Sequence, residues 1–236
     1  MTVLAHRSAT TTAPRAATSR AATSRDVHVW EARVRRILRP VTVELVDGTS
    51  AQRHRLVAAG VRRGMLEVPH ATASRTDSRA DLSELRLEDL LPAAHRELHD
   101  LELATAPEPA GSLEGNPDEA TVEAHVLRAF SGVSRGRTAW LVPFALPTGA
   151  LGVLVTDSLV AVLALQERAE VGAGPLRRIE DGAPWTAYVH SVGLPLDDED
   201  GQPVRDDVPW PCGTRFAGEL RSGTEVWTCG SPVAWA

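Results

Sequence analysis

Lysine is missing from this chain: all 25 of its basic residues are arginine. Without a lysine amine these residues can form no Schiff base, no pyridoxal-phosphate attachment and no Walker-A contact to a nucleotide phosphate. Those enzyme classes drop out. Asn116 is the one asparagine, Tyr188 the one tyrosine, and Ile37 and Ile179 are the two isoleucines. This avoidance of AT-rich codons points to a GC-rich coding sequence, bacterial or phage, and carries no chemistry. A long apolar run is also missing. The most apolar stretch, 149–165, is interrupted by Thr156, Asp157 and Ser158, and a charge in so short a span argues against a membrane helix. The first 25 residues lack the apolar centre of a secretory signal, so a cytoplasmic protein is expected.

Cysteine is scarce as well. Cys212 and Cys229 are the two, each in the frame Trp-x-Cys-Gly, 17 residues apart. A structural zinc site wants four ligands, usually from Cys-x-x-Cys pairs, and here each half supplies one. In a reducing compartment a disulfide is disfavoured too, which leaves buried thiols as the expectation.

What is present suggests an ordered body behind a basic arm. Residues 1–25 are Ala, Ser, Thr and Arg with a tandem Arg-Ala-Ala-Thr-Ser, too poor in apolar side chains to order themselves. The arm carries Arg7, Arg15, Arg20 and Arg25 and no acid, while the whole chain is −6, so the remainder carries −10. Such an arm could make weak contact with nucleic acid, although four spaced arginines release few counterions.

Order is expected from Asp26. Val27, Trp30, Val34, Ile37 and Leu38 recur at helical spacing until Pro40. Val41 to Val46 alternate as a strand before the Asp47–Gly48 turn. Residues 54–70 read as two short strands around Gly60 and Gly64, with a helix as the alternative. A helical stretch broken at Pro92 follows, then a Pro- and Gly-rich linker over 105–116. Past the linker, Asn116 and Pro117 start a helix with Val122, Val126, Leu127 and Phe130 as its buried stripe, ended by Gly132. Strands are then expected over 138–146, 150–156 and 185–193, with Pro143 pushing the first to an edge or a bulge. Residues 158–168 read as a further strand after these, with a helix as the alternative that their continuous apolar run does not decide. A hairpin turns near Ser222–Gly223. The fold class is α+β: a disordered N-terminal arm (1–25), a small α/β unit (26–104), a linker (105–116) and a β-rich antiparallel unit with one capping helix (117–236).

Four patterns invite chemistry. Gly-Val-Ser-Arg-Gly at 132–136 matches a nucleophile-elbow pattern, and Ser134, Asp157 or Asp181, then His190 follow a hydrolase order. The context is reversed, however, with a helix before the serine and a strand after it. These glycines read more simply as a helix end and a turn. His95 and His99 stand at i, i+4 on a helix and could chelate a metal, with His125 as a third ligand if the two helices face each other. Residues 196–207 approach a calcium loop through Asp198, Asp200 and Gly201, but Leu196 offers no oxygen at position one. Four of six tryptophans fall late: Trp185, Trp210, Trp227 and Trp235. Trp210, Trp227 and Trp235 read as an aromatic rim for a protein partner or a second copy.

No one pattern combines the right residues with the right context. The expectation is therefore a non-enzymatic interaction or assembly module with no cofactor. A metal-dependent or hydrolase-type enzyme is the first alternative, and weak nucleic-acid binding through the arm the second.

Overall fold

The computed structural model describes residues 24–68, 82–91, 119–193, 200–202, 216–220 and 225–229. Helix α1 (Ser24–Leu38) leads to β1 (Thr42–Leu45) and α2 (Ser50–Arg62). A single 3-10 turn (Leu82–Glu84) and the one-turn α3 (Leu87–Leu90) come next. Helix α4 (Glu119–Phe130) precedes the hairpin of β2 (Thr138–Ala145) and β3 (Leu151–Thr156). Then come α5 (Leu159–Arg168), the two-residue β4 (Glu170–Val171) and α6 (Ala173–Glu180). The described residues end with β5 (Thr186–Ser191), β6 (Phe216–Leu220) and β7 (Glu225–Cys229).

The seven strands among the described residues belong to one sheet, in the order β1-β2-β3-β5-β7-β6 with β4 beside β2. The α+β class holds, and the pairing within it is mixed. β2–β3, β2–β4 and β6–β7 are antiparallel, whereas β1–β2, β3–β5 and β5–β7 are parallel. β1, from the first of the two expected stretches, pairs with β2 from the second through Thr42↔Thr138 to Leu45↔Leu141. Residues 1–23 of the expected arm and the whole linker lie outside the described residues, while Ser24 and Arg25, expected in the arm, open α1.

Helices cover both faces, and strand alternation divides the core. Trp140, Val142, Phe144, Leu154 and Tyr188 pack with α2, α3 and α5. Ala139, Val153, Val155, Ala187, Val189 and Trp227 pack with α1, α4 and α6. A sheet buried on both faces reads in sequence as near-continuous apolar runs, as these strands do. In α1 the stripe Val27, Trp30, Val34 and Leu38 is buried as its spacing requires. In α4, Val126 and Phe130 are buried, but Leu127 is exposed, so the stripe is narrower than expected.

Two ambiguous stretches are helical. Residues 50–62 form α2, not a pair of strands. Thr49 caps it, its hydroxyl accepting from Gln52 N at 3.1 Å. Gly60 lets Leu66 close under the helix, since a Cβ at Gly60 would lie 2.6 Å from the Leu66 Cδ1. Residues 159–168 form α5, capped by Ser158, whose Oγ accepts from Ala161 N at 3.1 Å. The second expected unit (117–236) thus carries three helices among its described residues, α4, α5 and α6, and not one.

Pro143 sits inside the sheet in a gap of pairing. β1 ends opposite Leu141 and β4 ends opposite Phe144, so no strand asks for the missing Pro143 N–H. Its carbonyl accepts from Gly172 N at 2.9 Å on that same side. The free side of β1 is closed by a side chain. Gln52 Nε2 donates to Leu45 O at 2.8 Å and its Oε1 accepts from Asp47 N at 2.7 Å, as a neighbouring strand would.

Candidate functional site at the strand ends

The three mutually parallel strands β3, β5 and β7 end on one edge of the sheet. Register places Thr156 beside His190 and His190 beside Thr228. In open sheets of parallel strands, this carboxyl edge is where ligands are met. Here it holds most of the buried polar side chains: Ser134, Arg137, Thr156, Asp157, Ser158, His190, Ser191 and Thr228.

Asp157 stands at the centre. It leaves β3 just before Ser158 begins α5, and it is almost completely buried. Its Oδ2 accepts from Ser134 Oγ at 2.8 Å, Ser191 Oγ at 3.0 Å and Arg137 NH1 at 3.2 Å. Its Oδ1 accepts from Val192 N at 3.1 Å. Arg137 NH1 also donates to Gly193 O at 2.6 Å and Val133 O at 3.3 Å. A carboxylate and a guanidinium are thus withdrawn from water together, each compensating the other's charge. Loop 132–137 enters the same cluster because the end of α1 holds it: Gly132 N donates to Ile37 O and Ser134 N to Leu38 O. Thr156 Oγ1 accepts from Ser158 N at 3.0 Å, and His190 Nδ1 lies 2.9 Å from Thr228 Oγ1.

A second buried charge lies at the other end of β7. Glu225 accepts from Arg33 of α1 and from Trp227 Nε1, and the Arg33 guanidinium stands 5.9 Å from the Trp227 ring centre. Trp227 is fully buried, packed edge-on against Phe130 with centroids 5.0 Å apart. A ring expected on a partner-facing rim is therefore covered by helices of its own chain. Cys229 is buried on the same strand, and no group of three metal-capable side chains occurs among the described residues. Cys212, Trp210, Trp235, His95 and His99 lie outside the described residues, as do Arg7, Arg15 and Arg20.

The Ser134–Asp157–His190 order resolves differently from a hydrolase relay. Ser134 meets Asp157 directly, and His190 turns to Thr228. Gly132 and Gly136 take φ of 72° and 80°, the helix end and turn that their spacing suggested. Asp181 is exposed at the end of α6. Arg137, Ser191 and Thr228 were not legible as site residues. Their separations in sequence carry no pattern, and only the register of three strands brings them together.

Comparison with known proteins gives this geometry a family. Residues 29–234 match the family model described as the phosphoenolpyruvate carboxykinase N-terminal domain. A protein of Renibacterium salmoninarum named phosphoenolpyruvate carboxykinase (GTP) is 28% identical over 215 residues, covering 86% of this chain and 33% of that protein. One of the same name from Corynebacterium kroppenstedtii is 26% identical over 215 residues, covering 89% of this chain and 33% of its own length. Another, from Corynebacterium glutamicum, is 26% identical over 208 residues, with 86% and 32% covered. The chain spans about a third of the length of the curated relatives it matches. These matches overturn the expectation of a non-enzymatic structural or adaptor module, because the family and these relatives are named for an enzyme.

Proposed function

The chain belongs to the phosphoenolpyruvate carboxykinase N-terminal domain family, and on that premise we propose that it serves a GTP-dependent phosphoenolpyruvate carboxykinase reaction in the cytoplasm. Its share of that reaction is to hold phosphoenolpyruvate at the carboxyl edge of β3, β5 and β7. The family match over residues 29–234 carries this reading. The polar, buried character of that edge supports it, because a rigid bonded network keeps strand-end turns in one geometry. Phosphoenolpyruvate carries a phosphate and a carboxylate. With no lysine in the chain, the permanent side-chain cations open to either group are arginines, whose planar fork suits both. The rest of the reaction belongs to parts corresponding to the two thirds of the relatives' length that this chain does not span.

No helix among the described residues is long and apolar enough to cross a membrane, which agrees with the proposed compartment. Calorimetric titration with phosphoenolpyruvate tests the assignment. Saturable binding with a dissociation constant of about 1 mM or tighter is expected, equivalent to about −4 kcal/mol or better. No heat at several times that concentration, with a correctly folded sample, would sink it.

A further inference from the structure

We propose that Gln52 is an edge guard: by holding Leu45 O and Asp47 N, it keeps β1 from pairing with β1 of a second copy of this chain. The inference rests on the sheet alone and needs no ligand.

β1 is an outermost strand of the sheet. Such an edge recruits another strand unless something blunts it. Alternate residues along a strand turn their N–H and C=O to the same side. Val46 N faces inward, donating to Leu141 O of β2 at 2.9 Å. Leu45 O and Asp47 N face outward, and the Gln52 amide takes both. Two residues before Leu45, Val43 turns its own N–H and C=O outward by the same alternation. The side chains here add an apolar attraction. Val41 is 57% exposed and Leu45 48%. With Val43 they share the face on which α1, α4 and α6 lie, because Val43 and Leu45 stand beside Ala139 and Leu141 of that face.

The edge is complementary to itself. An antiparallel pairing about a two-fold axis at Val43 sets Val41 opposite Leu45 of the second copy, twice over and on one face. It sets Glu44 opposite Thr42 of the second copy, so like charges do not meet. Each cross-strand pair contributes less than about 1 kcal/mol, so a contact this short is weak unless it lengthens. The outward groups that would lengthen it are Leu45 O and Asp47 N, the two that Gln52 occupies.

The guard is itself held in place. Gln52 is buried in the first turn of α2, and its N–H donates to Thr49 Oγ1. Thr49 is fixed in turn by the Asp47 carboxylate. A primary amide suits the task because it carries a donor and an acceptor in one group, as a passing peptide unit does. An apolar side chain would fill the same space and leave one carbonyl and one N–H waiting for a partner.

Sedimentation velocity of Gln52→Ala tests the proposal. The variant should self-associate at least about tenfold more tightly than the wild-type chain. Adding Leu45→Arg, which places a charge opposite Val41 of the second copy, should return sedimentation to that of the wild type. A folded Gln52→Ala that sediments as the wild type does would overturn the proposal. Association that Leu45→Arg leaves unchanged would overturn it too, since another surface would then be responsible. Cooperative melting by circular dichroism identifies a folded sample. Should Gln52→Ala fail to fold, Gln52→Met keeps the length of the side chain without its amide and is read in the same way.

Discussion

Asp47 turns its carboxylate back on the start of α2, where Oδ1 accepts from Thr49 N at 2.8 Å and from Thr49 Oγ1 at 2.7 Å. The Thr49 N–H is the chief reason its pKa lies below the ordinary carboxyl value; the Thr49 hydroxyl and the charge of Arg55 add to it, and slight burial opposes it. A lowered folded pKa means that this group stabilises the fold above the ordinary carboxyl range, and that the contribution is lost as pH falls through the folded value. Thr49→Val removes the hydroxyl and keeps the N–H. The Asp47 pKa, followed by carboxyl-carbon NMR, should rise part of the way toward its ordinary value. The same change removes the cap of α2 and should cost about 1 kcal/mol in urea denaturation. An unchanged titration would show that the hydroxyl takes no part. The neighbouring Gly48 answers to a contact invisible in its own segment. It has a φ of 75°, and a Cβ there would fall on the carbonyl of Val171, while one at Gly172 would fall on the carbonyl of Asp47. Asp-Gly announced the turn at 47–48, but nothing in the sequence announced that its partner is 124 residues away at Gly172.

At the scale of elements, Arg53 decides how α2, α5 and the 82–87 stretch meet. Its guanidinium donates to Ser83 O at 3.0 Å, Leu85 O at 2.9 Å and Leu163 O at 3.3 Å, and to Glu167 Oε1 at 2.6 Å. Glu167 Oε1 also accepts from Leu87 N at 2.7 Å, fixing the start of α3. Both side chains are mostly buried, so removing one partner leaves the other charge poorly compensated. Arg53→Met should cost about 3 kcal/mol, the low end for breaking a buried pair, because both groups keep some contact with water. Denaturant unfolding measures the loss, and amide exchange should rise first over residues 82–90. A loss below about 0.5 kcal/mol would show that the clamp is incidental. Helical spacing announced α1 well, because its apolar positions fall on one stripe above a polar face. It left α5 undecided because a helix buried between a sheet and other helices is apolar nearly all round. Ser158 was the available signal, a cap residue at the boundary.

For the whole molecule, the absence of lysine and the family together make a sharp expectation about nucleotide. A chain that matches about a third of the relatives' length and offers no Walker-A lysine should bind phosphoenolpyruvate but hold GTP at least about tenfold more weakly. Competition between the two ligands in one calorimeter checks this, and GTP binding as tight as phosphoenolpyruvate binding would refute the division of labour. Composition and periodicity by themselves determined that the chain mixes helices with strands, that α1 and α4 exist, that β6 and β7 form a hairpin, and which chemistries cannot occur without an amine. Those features depend on residues near one another in sequence, and local spacing encodes them. Tertiary structure alone decided that β3, β5 and β7 run parallel, that Trp227 faces inward under Phe130 and Arg33, and that Ser134, Arg137, Asp157 and Ser191 share one carboxylate. Parallel pairing joins strands across long connections, and side chains meet there by register, which no local pattern records.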